Sequence, residues 1–179
     1  MNDEKKLNLA IMGKIRPIDR KDLPEILRIE QDSYEFSWSE DDLIRHLRDR
    51  NCGAYTYLFD NNIAGFMLFE RDRGQLNLVN IAIDSQYRRN GIGTEMVDIL
   101  KSSIAQDSRR SRIEAEVREK DLRAQKFLSS LDFRATRVLW DLYEDTSEDG
   151  YLMEFSKKPS GVYVPKNRIS EHLKGKPLW

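Results

Sequence analysis

Cysteine, histidine and proline are scarce in this chain, and net charge is almost absent. A single cysteine, Cys52, in 179 residues excludes an internal disulfide framework and any cysteine-rich zinc site. The only histidines, His46 and His172, argue against a histidine-based metal site, so no metal is expected. Thirty basic residues against 31 acidic ones give a net charge of -1. The chain as a whole is therefore no polyanion binder, and a nucleic-acid role would have to rest on a local patch. No apolar run approaches the roughly 18–20 residues of a membrane span. The opening MNDEKKLNLAIMGK has only a short apolar stretch and no cleavage site of the signal-peptide type. A soluble, cytoplasmic protein without a membrane partner is the expectation.

What is present suffices for a core. Hydrophobic residues make up 39% of the chain, with seven Phe, seven Tyr and three Trp, which excludes wholesale disorder. Residues 1–14 read as an N-terminal extension, and Ile15 to Phe155 as the folded domain, undivided by any Pro/Gly/Ser-rich linker. Residues 156–179 read as a basic C-terminal extension. That tail holds three of the five prolines and six basic residues against Glu171, a net of +5 that leaves -6 for the rest. It reads as a solvated extension, the alternative being an anion-binding arm.

Periodicity supplies the elements. IRPI forms a strand, and Leu23, Ile26, Leu27 and Glu30 mark one face of a helix, with Lys21 or Asp22 near its cap and Pro24 tolerable in the first turn. Ser39 followed three residues on by Asp42 reads as a capping box for a second helix, with Trp38 and Leu43 at the staple positions. Strands at 53–59 and 63–70 flank the turn signal Asp60-Asn61-Asn62, and 75–83 is apolar enough for a central strand. A helix over 94–106 follows. Residues 112–118 then alternate, with Ile113, Ala115 and Val117 on one face and Glu114, Glu116 and Arg118 on the other. A helix over 122–131 and strands at 136–143 and 150–155 complete an α/β chain of the α+β type, helices on a mainly antiparallel sheet.

The segment from Asn80 to Thr94 carries the chemistry. A strand ends, a basic turn follows, Gly91 and Gly93 come one residue apart, and a helix begins. Glycines remove the Cβ atoms that would keep a ligand from the backbone, and N–H groups converge at a helix N-terminus. The arrangement suits a phosphate or pyrophosphate, with Arg88 and Arg89 adding charge. No Lys-Ser/Thr follows the glycines, so this is no P-loop, and the three-glycine dinucleotide fingerprint is missing too.

Arg88, Gly91 and Gly93 match the Gln/Arg-x-x-Gly-x-Gly/Ala motif, and the chain here resembles the GCN5-related N-acetyltransferases. Phe36-Ser37-Trp38-Ser39, Asn80-Ile81-Ala82-Ile83, Glu116-Val117-Arg118 and Tyr143 with Glu148-Asp149-Gly150-Tyr151-Leu152-Met153 resemble, in order, motifs of its ribosomal-protein-alanine and N-terminal amine acetyltransferase branch. The resemblance covers about Ile15 to Phe155. It implies a mixed, mainly antiparallel sheet of about six or seven strands flanked by about four helices and splayed where acetyl-CoA binds. It implies an acetyl-CoA-dependent enzyme acting on a primary amine, most simply the α-amine of a protein or peptide N-terminus.

By the same resemblance, Ile81, Ala82 and Ile83 offer backbone edges to the pantetheine arm. Arg88, Arg89, Asn90, Gly91, Ile92, Gly93 and Thr94 wrap the pyrophosphate, and Asp121 stands where the branch has an asparagine that touches the cofactor. Glu116 stands at the general base, and Glu114 shares its face. Phe36, Trp38 and Tyr143 sit where relatives grip a peptide N-terminus. Leu128 occupies the position of the branch's tyrosine general acid and has no proton to donate, which passes that role to Tyr143 or Tyr151. A thiol pKa near ~8.5 also lets a CoA thiolate depart tolerably without help. Two rivals stay open: an acyl-CoA-binding protein without catalysis, and an acetyltransferase of a small amine.

Overall fold

The computed structural model describes residues 13–143 and 146–157, so nearly all of both terminal extensions lies outside the described residues. The elements follow the order that periodicity predicts: β1 (Lys14–Pro17), α1 (Leu23–Ser33), α2 (Glu40–Arg48), β2 (Cys52–Phe59), β3 (Asn62–Arg71), β4 (Gln75–Ile83), α3 (Ile92–Gln106), β5 (Arg112–Arg118), α4 (Leu122–Ser130), β6 (Arg134–Tyr143) and β7 (Glu148–Ser156). They divide into two compact units at Arg110 and Ser111. Among the described residues no helix is long and apolar enough to cross a membrane.

In the first unit β1, β2, β3 and β4 pair in that order, all antiparallel. The β2–β3 hairpin closes on Asp60 and Asn61 at φ 48° and 61°, the left-handed pair that a two-residue loop needs to match strand twist. Ser39 and Asp42 form the expected capping box at the head of α2: Ser39 Oγ accepts from Asp42 N–H at 3.2 Å, and Asp42 Oδ2 accepts from Ser39 N–H at 3.2 Å. Asp22 precedes α1, as read from the sequence, but its carboxylate turns backwards. It takes a bidentate pair from Arg16 at 2.6 and 2.9 Å and the Asp19 N–H at 2.7 Å, so α1 starts without a side-chain cap.

Residues paired across an antiparallel ladder share a face. Phe66 and Leu68 of β3 and Ala82 of β4 face α1 and α2, packing with Leu23, Ile26, Ile29 and Leu43. Tyr57 lies on the other face of the ladder, and its hydroxyl donates to Glu95 Oε2 of α3 at 2.8 Å. The buried Met96, Val97, Leu100 and Ile104 line α3, which packs on β4 and β3. Between Leu68 and Phe69 the register shifts, with Leu68 opposite Asn80 and Phe69 opposite Leu78. Val79 is the extra residue of a β-bulge, so Leu76 and Leu78 face the α3 side while Asn80 and Ala82 face α1.

In the second unit β7 lies between β5 and β6, antiparallel to both. Ile113, Ala115 and Val117 of β5 are buried with Leu128, Leu131, Phe133, Leu152 and Met153. The alternation of 112–118 predicts that apolar face. Pairing of β6 with β7 slips between Leu139 and Tyr143, where four residues of β6 span the reach of two on β7, from Gly150 to Glu148. Asp141 sits there at φ 47°, its N–H donating to Asp149 Oδ1 at 2.9 Å.

Candidate active site

In the first unit the site is a turn held from behind. Asp84 ends β4, is buried at 4% exposure, and accepts from Gln86 N–H at 2.9 Å and from Arg28. Burial opposes its charge, but those donors more than offset it and hold the carboxyl below its ordinary range. Arg28 also engages Glu25 at 2.6 Å and Asp32 at 2.7 Å, so α1 and the turn after β4 share one cation. Arg88 folds its guanidinium back onto the turn, donating to Ile83 O at 2.8 Å and Ser33 Oγ at 3.0 Å. The charge that the motif assigns to the phosphates thus also braces the turn. Asn90 folds back onto Tyr87 O and Arg88 O at 3.1 and 3.4 Å.

These braces deliver Arg89 at φ 68° and Gly91 at φ 82° to the head of α3. Gly91 is the N-cap and provides no side-chain hydrogen bond. A helix leaves its first N–H groups without intrahelical partners, so those of Ile92, Gly93 and Thr94 face outwards at the positive end of the helix dipole. An ideal Cβ on Gly91 would meet no heavy atom within 4 Å. The cradle is therefore open, shaped by backbone, and fits the phosphates of a nucleotide such as CoA.

The strand that carries Ile81, Ala82 and Ile83 is clamped to α1. Glu30, buried at 2% exposure, accepts from Trp38 N–H at 2.9 Å and from Asn80 Nδ2 at 3.0 Å. One helical turn on, the Tyr34 hydroxyl donates to Ile81 O at 2.6 Å. Burial raises the Glu30 carboxyl above its ordinary range, against the pull of those two donors. A cavity of about 10 Å³ lined by Ile26, Glu30, Trp38 and Asn80 lies at this junction. The two aromatic acceptor candidates of this unit part company: the Trp38 ring packs against the core, whereas Phe36 is 46% exposed.

The second unit holds the acid–base candidates. Glu116 is exposed on β5, and Arg118, two residues on along the same face, has its guanidinium carbon 3.8 Å from the Tyr143 ring centroid. Arg118 also approaches Glu148 Oε2 at 3.4 Å, and the buried Glu148 accepts from Lys120 N–H at 2.7 Å. Gly150, paired with Arg118, makes room for Leu142: a Cβ there would lie 2.6 Å from Leu142 Cδ2, and only at ordinary contact, 3.4 Å, from Tyr143 Cε2. Burial pushes the Tyr143 phenol above its ordinary pKa, Arg118 pulls it down, and Glu116, Glu148 and Asp121 push it up again. Tyr143 is thus a phenol that keeps its proton and shares a local field with Glu116.

Glu114 is engaged by Arg112 at 2.8 Å. Asp121 is the N-cap of α4, its Oδ1 accepting from Arg123 and Ala124 N–H at 3.2 and 2.9 Å. Its position one residue before an apolar helix was a capping signal that the sequence reading did not use. Leu128 is 3% exposed, a core residue where a tyrosine was looked for. The Glu30–Tyr34 clamp and the Val79 bulge were not legible in the sequence, and Glu148 was quoted only as a motif member with no role. Glu30 left a trace as an acid on an otherwise apolar helical face.

A family model described as Acetyltransferase (GNAT) family matches residues 23–133. An N-alpha-acetyltransferase of Saccharolobus solfataricus is 26% identical over 144 residues, covering 74% of this chain and 86% of its own length. The [ribosomal protein bS18]-alanine N-acetyltransferase of Escherichia coli is 26% identical over 144 residues, 79% of this chain and 96% of its own. The crystal structure of the ribosomal-protein-S18-alanine N-acetyltransferase from Escherichia coli superposes with a TM-score of 0.73 at 24% identity, covering 86% of this chain and 99% of that one. The fold that the sequence motifs imply is the fold of that structure.

Proposed function

Since the chain belongs to the acetyltransferase (GNAT) family, we propose that it transfers the acetyl group of acetyl-CoA to the free α-amine of a protein or peptide N-terminus. The observation that carries the reading is the open helix start behind a left-handed Gly91, a cradle for a pyrophosphate. The N–H groups of Ile92, Gly93 and Thr94 hold the phosphates with the charge of Arg89 beside them, while Arg88 and Asn90 keep the turn in shape. The backbone of Ile81, Ala82 and Ile83 lines the pantetheine arm, and a β4 N–H polarises the thioester carbonyl.

Acetyl-CoA supplies an activated acyl group, and the protein manages two protons. Glu116, directly or through a water, takes the proton of the attacking amine. Tyr143, its phenol held neutral, gives one to the departing thiolate. No covalent enzyme intermediate enters, and Cys52 belongs to neither set of residues. At pH 7 deprotonating a lysine amine costs about 4.6 kcal/mol, against about 1.1 kcal/mol for a peptide α-amine. A site with one exposed carboxylate as base suits the second, and the exposed Phe36 offers the acceptor chain an apolar contact. In this reading the transferase domain spans 15–155, flanked by the two extensions.

The buried Leu128 favours a second reading, acyl-CoA binding without transfer. Mass spectrometry of a mixed panel incubated with acetyl-CoA separates the two. The panel holds peptides with free N-termini, peptides with blocked N-termini and internal lysines, and small polyamines. Acetylation of free N-termini, reduced about 10²- to 10⁴-fold in Glu116→Gln, is the expected result. Acetylated polyamines with untouched peptides would reassign the acceptor, and a protein that binds acetyl-CoA but modifies nothing would favour the second reading.

A further inference from the structure

The end of α2 and the β2–β3 hairpin bring together three side chains that the acetyl-transfer reading does not use. α2 stops at Arg48, and Asp49 N–H closes onto His46 O at 3.1 Å. A tight turn follows, with Cys52 N–H donating to Asp49 O at 3.1 Å, and it returns the chain beside His46. The β2–β3 register then sets Cys52 directly opposite Glu70, where cross-strand Cβ atoms lie about 4.5–5.5 Å apart. An imidazole nitrogen, the thiol sulfur and a carboxylate oxygen fall within 4.8 Å of one another.

We propose that His46, Cys52 and Glu70 form a mononuclear zinc site that staples α2 to the hairpin. Soft thiolate, imidazole and carboxylate together are a donor set for zinc rather than for magnesium or calcium. Three protein ligands leave the fourth tetrahedral position to water. A second observation points the same way: the His46 side chain is 4% exposed, and its Nδ1 already lies 4.0 Å from Glu70 Oε1. Zinc–ligand bonds of about 2.0–2.3 Å place tetrahedral ligands roughly 3.4–3.7 Å apart, so closing the set takes a shift of about 1 Å. Glu70, 46% exposed at its side chain, is free to make that shift by a change of rotamer. A chain with two histidines and one cysteine offers few chances for such a meeting, and the fold makes one. Binding releases the thiol proton to solvent and leaves no other bond changed.

The test uses the full chain, stripped with chelator, with zinc chloride as the probe in calorimetry and cobalt chloride in absorption. One zinc per chain is expected, together with a thiolate-to-cobalt charge-transfer band and protection of Cys52 from alkylation. Cys52→Ser and Glu70→Gln should each weaken binding at least about tenfold. His46 is buried and its replacement risks the fold, so these two partly exposed positions, checked by thermal melts, carry the comparison. Failure of the wild-type chain to bind micromolar zinc, or equal binding by Cys52→Ser, overturns the proposal.

Discussion

Replacing Gly91 separates the two reasons for a glycine at the head of α3. At φ 82° and ψ -6° the residue occupies the left-handed region, where a Cβ costs roughly 1–2 kcal/mol. An added Cβ meets no heavy atom within 4 Å, so backbone strain is the whole structural cost of Gly91→Ala. At about 2–4 °C per kcal/mol for a chain of this length, Tm should fall by about 2–8 °C. Ligand binding should suffer more. A methyl group beside the outward-facing N–H groups holds a phosphate off the helix, and losing one hydrogen bond to a charged group, about 1.5–3 kcal/mol, corresponds to a rise of about 10- to 150-fold in the Kd for acetyl-CoA. Asparagine tolerates the left-handed region better than alanine, so Gly91→Asn should regain most of the lost Tm and none of the lost affinity. Thermal melts and calorimetry at one fixed salt concentration read both quantities. If asparagine restores affinity along with stability, the glycine serves the turn alone and the phosphate assignment fails.

Tyr143→Phe should lower kcat by about 10²-fold, the low end for a general acid because a thiolate is a fair leaving group, with KM for acetyl-CoA unchanged; an unaltered kcat would mean that the thiolate departs unaided. Leu128→Tyr should overpack the core and cost about 1–3 kcal/mol without raising turnover, and a gain in kcat in steady-state assays would place that side chain in the site after all. Burial raises the Glu30 carboxyl above 4.5, so the native state holds the proton more tightly than the unfolded chain and stability declines as pH rises from 4.5 through the native pKa. Melts of Glu30→Gln across pH should lack that decline and converge with wild type below it; parallel curves would contradict the assignment. Asp22→Asn should cost about 1.5–3 kcal/mol at neutral pH by breaking a bidentate charge pair. Arg16 holds the Asp22 carboxyl below 3.8, so wild type loses this contribution only as pH falls below that value, which an acid titration of stability detects.

The elements were legible because each has a clean period or cap. The Ser39–Asp42 box, the Asp60-Asn61 turn and the alternation of 112–118 are local signals, and local chemistry decides them. The glycine turn was legible for the same reason, since Gly91 and Gly93 precede an apolar helix. What escaped depends on partners far away in sequence. A strict period of two would put Leu76, Leu78, Asn80 and Ala82 on one face, and only the pairing with β3 shows that Val79 divides them between two. That Arg88 also ties the turn to α1 depends on Ser33, 55 residues earlier. Tyr143 was singled out from the sequence, but its contact with the Arg118 guanidinium was not, because it needs the slipped pairing of β6 to carry the ring there.

The Val79 bulge means that β4 holds one residue more than its pairing with β3 uses. A deletion there is unlike a deletion elsewhere in a strand. Removing Val79 brings Leu78 and Asn80 into succession opposite Phe69 and Leu68, a regular ladder in which no side chain changes sides. The strand loses a bend and keeps its register, whereas a deletion between Phe66 and Leu68 of β3, paired one-to-one with both neighbours, would have nothing spare to absorb it. A chain with such a reserve can shorten by one residue at this point and still deliver Asp84 to Arg28. The same deletion makes an experimental tool, because it removes the curvature of β4 ahead of Ile81 while leaving every face of the strand as it was.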